Sequence, residues 1–241
     1  MKVTGMNRTT EQRNLLRIYS IDKKENSICL QICSNKTEEK IEESQKKGDS
    51  DMAEFDYEVV NGRKIRVRPV ETVSEVDENG YFVRQPNHFT EGFGEGKNPV
   101  EAGRYRLVWA KLCHWSNRAS IVRELLGLED AISVNMVDHA KHEKNLGWEF
   151  VYDKDHIDPV LGIQFLSEAY YKADDDYTGR TTVPALIDTK TGKVVNNDYT
   201  WLTNYFEVDF KPFHKKGAPD LYPEELRKDI DEINDWLFDN I

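Results

Sequence analysis

The sequence has little positive charge and no long apolar run. It holds 33 Lys and Arg side chains against 44 Asp and Glu in 241 residues, a formal net charge of −11. General nucleic-acid binding and docking on an anionic membrane surface both need a basic surface, so this balance argues against both. No apolar run approaches the roughly 18 residues of a membrane span, and residues 1–25 lack an apolar core of signal-peptide type.

Cysteines are equally scarce. The three present, Cys29, Cys33 and Cys113, are too few for a disulfide framework, and an odd number leaves at least one thiol free. This usage favours a reducing compartment, so we expect a cytoplasmic protein. We interpret Cys29 and Cys33 as small apolar residues rather than as a redox pair.

The first 54 residues differ in composition from the rest. The polar run from Lys36 to Asp51 contains one apolar residue, Ile41, and cannot bury a face. We therefore predict that residues 1–54 form a polar leader, disordered or ancillary, and a translation start at Met52 is an alternative. Within it, residues 28–33 are either a strand or a lone helical turn.

Residues 55–103 read as an N-terminal extension. Ile65 and Val67 alternate with basic residues, which predicts a half-exposed strand between residues 55 and 70 with a solvated basic face. Residues 77–103 are rich in Gly, Asn and Pro and predict a long loop.

Residues 104–210 carry the pattern of a βαβαββα domain, the element order of the thioredoxin-like α/β fold. The predicted elements are a strand at 104–111, a helix from Trp115 to Leu126 ended by Gly127, a strand at 131–137, a helix opening at Asp158 and Pro159, a hairpin of 183–188 and 193–195, and a helix capped by Asp198.

A linker and one more helix are predicted in residues 211–241. Proline and acids at Pro223, Glu224 and Glu225 suit a first helical turn. An apolar stripe follows, formed by Leu226, Ile230, Ile233 and Leu237.

Cys113 is the residue best suited to chemistry. It falls between the first strand and the first helix of the predicted domain, where helix N–H groups and the positive dipole end favour the nucleophilic thiolate. His114 and Arg118 are close enough in sequence to add positive charge. The other interpretation is a buried structural cysteine. Ser116, three residues on, excludes a C-x-x-C dithiol, and a hydroxyl there suits a monothiol cycle resolved by a small external thiol.

Val183-Pro184 is the second candidate element. A proline that opens a strand in this fold is often cis and exposes the preceding backbone to a thiol peptide. The alternative is an ordinary proline at the start of a strand.

The sequence around Cys113 resembles that of a known family. The segment GRYRLVWAKLCHWSNRASIVRELLGLEDAISV is similar to the glutathionyl-hydroquinone reductases, the Xi-class glutathione transferases, whose signature is Cys-Pro-Trp-Ala-His-Arg. The resemblance runs from about residue 75 to 241. The matching residues are Cys113, Trp115, Arg118, residues 127–129 (GLE), 147–150 (GWEF), 177–184 (YTGRTTVP), 194–197 (VVNN) and 221–223 (LYP).

The resemblance implies that Cys113 attacks the sulfur that joins glutathione to a hydroquinone and that a second glutathione regenerates the thiol. It implies that Trp148, Arg180 and the Val183 backbone hold glutathione, with Pro184 in support. It also implies an aromatic, quinone-type second substrate and a homodimer, and no metal.

The chain departs from the family at several positions. His114 replaces Pro and Ser116 replaces Ala, which leaves the thiol in place. Asp198 and Tyr199 replace the Glu-Ser that holds the γ-glutamyl group, so the cosubstrate is either glutathione or another low-molecular-weight thiol. Only the first helix of the family's all-α C-terminal domain is present, and we expect its apolar stripe to be partly uncovered.

Two function classes follow. The leading hypothesis is a thiol-dependent transferase or oxidoreductase of the glutathionyl-hydroquinone reductase type. The alternative is a truncated or degenerate non-catalytic domain that binds thiol peptides. A metal site at Asp138, His139, His142 and Glu143 is disfavoured because no further Cys or His has ligand spacing. Asp174, Asp175 and Asp176 lack the alternation of a calcium loop.

Overall fold

The computed structural model describes residues 16–22, 27–32, 55–67, 76–141 and 146–240. The chain forms two compact units, Met1–Glu54 and Phe55–Ile241. In the first, β1 (Leu16–Asp22) and β2 (Ser27–Ile32) pair as an antiparallel hairpin. The strand alternative for residues 28–33 is thereby confirmed through Ile32. The polar run 36–51 lies outside the described residues.

The second unit opens with a hairpin where one strand was predicted. β3 (Tyr57–Val60) and β4 (Arg63–Arg66) pair in antiparallel register. Asn61 and Gly62 join them at φ of 51° and 77°, the left-handed pair that an Asn-Gly hairpin turn requires.

The predicted solvated basic face of this strand is wrong for Arg66, which is buried. Its guanidinium lies over the Phe55 ring at 3.0 Å and the Tyr171 ring at 4.2 Å from the centroids. Arg63 pairs with Glu168 at 2.8 Å. Both arginines therefore fasten the hairpin to the rest of the unit.

The central sheet has four strands in the order β10–β9–β5–β6. β5 (Tyr105–Trp109) runs parallel to β6 (Ile132–Met136), while β9 (Ala185–Asp188) is antiparallel to β5 and to β10 (Lys193–Asn196). This confirms the predicted thioredoxin-like order, with a parallel first half and a closing antiparallel hairpin.

Side chains alternate across this sheet and build two cores. Val108 and Ile187 belong to one cluster, while Leu107 and Leu186 belong to the other, and all are fully buried. Alternate residues of a strand face opposite sides, so each face is covered separately. α2 (Leu166–Ala173) contributes to the first cluster, and α1 (His114–Leu126) and α3 (Leu202–Val208) to the second.

α1 and its end agree with the sequence pattern. Gly127 closes the helix at φ 73°, and its N–H donates to the carbonyls of Arg123 and Glu124. This is the left-handed position where glycine carries no Cβ penalty.

The predicted helix start at Asp158 and Pro159 is wrong. Asp158 is fully buried, and its Oδ2 accepts from Arg106 Nε at 2.7 Å. Its Oδ1 accepts from the N–H groups of Val160 and Leu161 at 2.8 and 2.7 Å, which holds a tight turn. α2 therefore begins only at Leu166, after an extended approach.

Asp198 caps the turn before α3 rather than the helix itself. Its Oδ1 accepts from the backbone N–H groups of Thr200 and Trp201 at 3.2 and 3.4 Å, and α3 begins at Leu202.

The chain before β5 and the remaining short elements complete the second unit. Residues 76–103 hold only isolated bridges among the described residues, as the loop prediction required. β7 (Asp138–His139) pairs with β8 (Trp148–Glu149), and single 3₁₀ turns occupy Lys154–His156, Lys211–Phe213 and Glu224–Leu226.

α4 (Arg227–Asn240) is the predicted final helix. Leu226, just before it, and Ile233 and Leu237 within it are 48%, 60% and 43% exposed, so the expectation of a partly uncovered stripe is confirmed. Across the described ranges, no helix combines the length and apolar character of a membrane span.

Candidate functional site

Cys113 stands at the N-terminus of α1. Its backbone is extended, with φ −92° and ψ 116°, and its carbonyl accepts from Asn117 N at 3.0 Å, which starts the helix. The side chain is half-buried, and Sγ donates to the Val183 carbonyl at 3.4 Å. The two segments singled out from the sequence are therefore in direct contact.

Hydrogen bonds from α2 and from the loop after β10 hold the segment that faces the Cys113 thiol. The Val183–Pro184 peptide is cis, as predicted. The Tyr170 hydroxyl donates to the Thr182 carbonyl at 2.9 Å and accepts from Thr182 N at 3.2 Å. Burial raises the pKa of Tyr170, which keeps its hydroxyl protonated as a donor. Asn197 Nδ2 adds a bond to Thr182 Oγ1 at 3.1 Å.

A cavity of about 310 Å³ opens at the thiol, within the size range of small-molecule sites. Its wall mixes aromatic rings with cationic and amide groups and contains no carboxylate. The lining residues are Phe82, Arg84, Gln85, Asn87, Leu112, Cys113, His114, Trp115, His139, Trp148, Arg180, Thr182, Val183 and Tyr199.

Most of the predicted site residues meet at this cavity. They come from the start of α1, β8, the segment that contains Arg180 and Val183, and the loop after β10, which approach one another only in the folded domain. The predicted residues that line it are Cys113, His114, Trp115, Trp148, Arg180, Val183 and Tyr199.

Arg118, Asp198, Pro184 and Ser116 do not line the cavity. The Arg118 guanidinium donates to the Thr200 carbonyl at 3.4 Å, and burial lowers its pKa. Its contribution of positive charge near the thiol stays a prediction. The Asp198 carboxylate is committed to its own turn and to Asn87 Nδ2 at 3.1 Å.

Ser116 is fully buried inside α1. Its hydroxyl has no hydrogen-bond partner among the described residues. It therefore cannot meet a ligand in the cavity without a rearrangement of the helix start.

Aromatic stacking ties α4 to the cavity wall. Trp115 stacks on Phe238 at 4.6 Å with 9° between the planes, and its other neighbour is Tyr199 at 5.2 Å. Burial raises the pKa of Tyr199. A second stack in the cavity wall is His139 on Trp148, with ring centroids 4.2 Å apart.

Seven lining residues were not predicted to be in the site. Leu112, His139 and Thr182 are three of them, and the other four, Phe82, Arg84, Gln85 and Asn87, all lie in the predicted loop. Gln85 Oε1 accepts from Arg180 N at 2.7 Å, and its Nε2 donates to the Arg180 carbonyl at 3.2 Å. No local pattern marks such residues, because their role depends on partners about a hundred positions away.

The disfavoured metal sites receive no support. No group of three or more potential ligand side chains occurs in the described part of the chain, and His142 and Glu143 lie outside it. Asp138 accepts from the Tyr152 hydroxyl at 3.0 Å. Asp174 pairs with His88 at 2.9 Å.

Residues 112–207 match the family model of the glutathione S-transferase N-terminal domain. The βαβαββα unit is thus a thioredoxin-like domain of glutathione S-transferase type.

Two relatives and one solved structure specify the likeness. The chain is 35% identical over 169 residues to glutathione S-transferase omega-like 2 of Schizosaccharomyces pombe, covering 68% of this chain and 53% of the relative. It is 35% identical over 165 residues to glutathionyl-hydroquinone reductase PcpF of Sphingobium chlorophenolicum, covering 67% and 51%. The glutathione-bound structure of YqjG, a glutathione transferase homologue from Escherichia coli K-12, superposes with a TM-score of 0.56 at 32% identity, covering 64% and 53%.

These matches confirm the resemblance drawn from the motifs. The chain is a homologue of the glutathionyl-hydroquinone reductases and Xi-class glutathione transferases. It spans about half the length of the curated relatives it matches.

Proposed function

We propose that this domain carries out thiol-dependent reduction or transfer of the glutathionyl-hydroquinone reductase type. Its cosubstrate is glutathione or another low-molecular-weight thiol, and its second substrate is an aromatic, quinone-type compound. The observation that carries the proposal is the half-buried Cys113 thiol, which contacts the Val183 carbonyl at 3.4 Å in the wall of a cavity of about 310 Å³. A cytoplasmic location and the absence of a metal remain predictions.

In the proposed reaction the Cys113 thiolate attacks the sulfur of a glutathionyl-hydroquinone. The bond from that sulfur to the aromatic carbon breaks, and its electron pair leaves with the ring, which takes up a proton to become the free hydroquinone. Cys113 and glutathione are left joined as a mixed disulfide. The thiolate of a second glutathione attacks the glutathione sulfur, which releases Cys113 and forms oxidised glutathione. Overall, the glutathionyl-hydroquinone and one free glutathione become the hydroquinone and oxidised glutathione: the ring is reduced, and the thioether sulfur and one thiol sulfur are oxidised to the disulfide.

The cavity supplies groups suited to these steps. Cys113 stands at the positive dipole end of α1, which can stabilise negative charge on its sulfur as that sulfur attacks and as it leaves. Arg180 can pair with a peptide carboxylate, the Val183 backbone with the amides of the thiol peptide, and the buried Trp148 ring can cover its apolar part.

Mass spectrometry after incubation with oxidised glutathione tests the proposal. We expect one glutathione adduct per chain, at Cys113, which dithiothreitol removes and which Cys113→Ser abolishes. Release of free hydroquinone from a glutathionyl-hydroquinone, followed by chromatography, should be lost in the same variant. Ser116→Ala is the matched control, because Ser116 is buried outside the cavity, and it should keep the adduct. Modification of Cys29 or Cys33 instead of Cys113 would overturn the proposal.

The alternative is a non-catalytic domain that binds thiol peptides and dimerises through α4. The exposure of Ile233, Trp236 and Leu237 on that helix favours it. Sedimentation that shows dimers, together with glutathione binding but no hydroquinone release, would support this alternative over the enzyme.

A further inference from the structure

Arg84 is a cation of the cavity wall that the proposed reaction does not use. It is exposed, and no acidic side chain pairs with it among the described residues. Its guanidinium carbon lies 5.6 Å from the centroid of the Phe82 ring and 5.6 Å from that of Tyr199. The charge is thus positioned by two aromatic faces rather than neutralised by a carboxylate.

The backbone that carries Arg84 is fixed against the segment that carries Arg180. The next residue, Gln85, bonds to both the N–H and the carbonyl of Arg180 and donates to the Tyr177 hydroxyl at 2.9 Å. Two residues further on, Asn87 donates to Asp198. Side-chain hydrogen bonds of the residues that follow Arg84 therefore hold its segment in place.

The charge of the cavity is opposite to that of the chain. The chain has a net charge of −11, yet the lining includes two arginines and two histidines with no Asp or Glu. Such a wall favours an anionic ligand. A guanidinium recognises a carboxylate through two parallel hydrogen bonds, and stacking on rings holds its plane.

We propose that Arg84 binds a carboxylate of the thiol peptide, so that the cavity accepts a thiol flanked by two carboxylates. This assignment rests on the proposed function, in which Arg180 pairs with one carboxylate. It narrows the thiol to the glutathione type and disfavours small thiols that carry a single charge or none. The same contact chemistry is available to an acidic group on the aromatic substrate, and the test separates these two sources.

The test is calorimetric titration with S-methylglutathione, which keeps both carboxylates and cannot exchange with Cys113. We expect Arg84→Gln to weaken binding by about tenfold or more, the effect of losing one charge-assisted contact. The affinity of Arg84→Lys should lie between those of the wild type and Arg84→Gln, because lysine keeps the charge but lacks the planar guanidinium. Lys97→Gln makes the same charge change at an exposed residue of the same segment outside the cavity, and it should bind like the wild type.

Each outcome decides one question. If the wild type binds and Arg84→Gln binds equally well, the Arg84 assignment is wrong and the proposed function stands. A loss seen only with S-(4-carboxybenzyl)glutathione also overturns it, because the carboxylate then belongs to the aromatic group. If the wild type does not bind S-methylglutathione at all, the Arg84 assignment fails, and the proposed function fails with it only if Cys113 also forms no mixed disulfide.

Discussion

Glu207 should make the stability of this domain fall as pH rises. It lies on α3, is 9% exposed, and its Oε1 has no hydrogen-bond partner among the described residues. Burial raises the pKa of this carboxyl from 4.5 to about 7, and nearby Asp220 adds to the effect; the Leu221 N–H and Lys211 oppose it. The folded state therefore holds a proton that the unfolded chain releases.

The sign follows from proton linkage. Below about pH 4.5 the Glu207 carboxyl is protonated in both the folded and the unfolded state, so it does not lower the unfolding free energy. Between about pH 4.5 and 7 the Glu207 carboxyl is ionised only in the unfolded chain, so the unfolding free energy declines as pH rises. Above pH 7 the unfolding free energy stays at this lowered value. At about 1.4 kcal/mol for each pKa unit, the difference between the two states sets an upper bound of about 3 kcal/mol.

Glu207→Gln removes the charge and can still accept from Leu221. We expect the variant to gain about 2 kcal/mol in unfolding free energy at pH 8 and almost nothing at pH 4.5, measured by urea unfolding. Glu95→Gln, in an exposed loop, is the control and should leave the profile unchanged. A variant that is no more stable than wild type at pH 8, or that gains equally at both pH values, would refute the reasoning.

Two further stability predictions rest on single contacts. Asp158→Asn should destabilise the fold by about 3 kcal/mol in urea unfolding, because it leaves the buried Arg106 charge uncompensated; the exposed Asp176→Asn should cost under about 0.5 kcal/mol. Gly127→Ala should lower the unfolding free energy by about 1 to 2 kcal/mol, because φ is 73° and the new Cβ would lie 2.6 Å from the Lys215 side chain. Gly80→Ala, at positive φ in open space, should lower the unfolding free energy by less. Equal losses in the two variants would contradict the role of Lys215.

Local patterns predicted the central domain because they encode which face of an element is buried. The apolar face of α1 repeats with the helical period, and Gly127 marks its end. β5 is marked by its β-branched and aromatic residues. The Asn61-Gly62 turn carried an equally local signal and was overlooked, so one strand was predicted where a hairpin stands.

Asp158 shows where local pattern misleads. An Asp before a Pro is typical of a helix start, but the buried Arg106, 52 positions earlier, binds its carboxylate. Because Asp158 forms this ion pair and the turn at Val160, α2 begins only at Leu166. A short-range preference of about 1 kcal/mol is overridden by a buried charge pair, whose disruption would cost several times more.

The sequence by itself determined the order of the elements, the thiol at the start of α1 and the likeness to the glutathionyl-hydroquinone reductases. Periodicity, caps and contiguous motifs are properties of neighbouring residues. Only the tertiary structure decided that Arg84 and Gln85 line the cavity while Arg118 and Asp198 do not. Those outcomes depend on contacts such as Gln85 with Arg180, 95 positions apart, and folding alone brings such residues together.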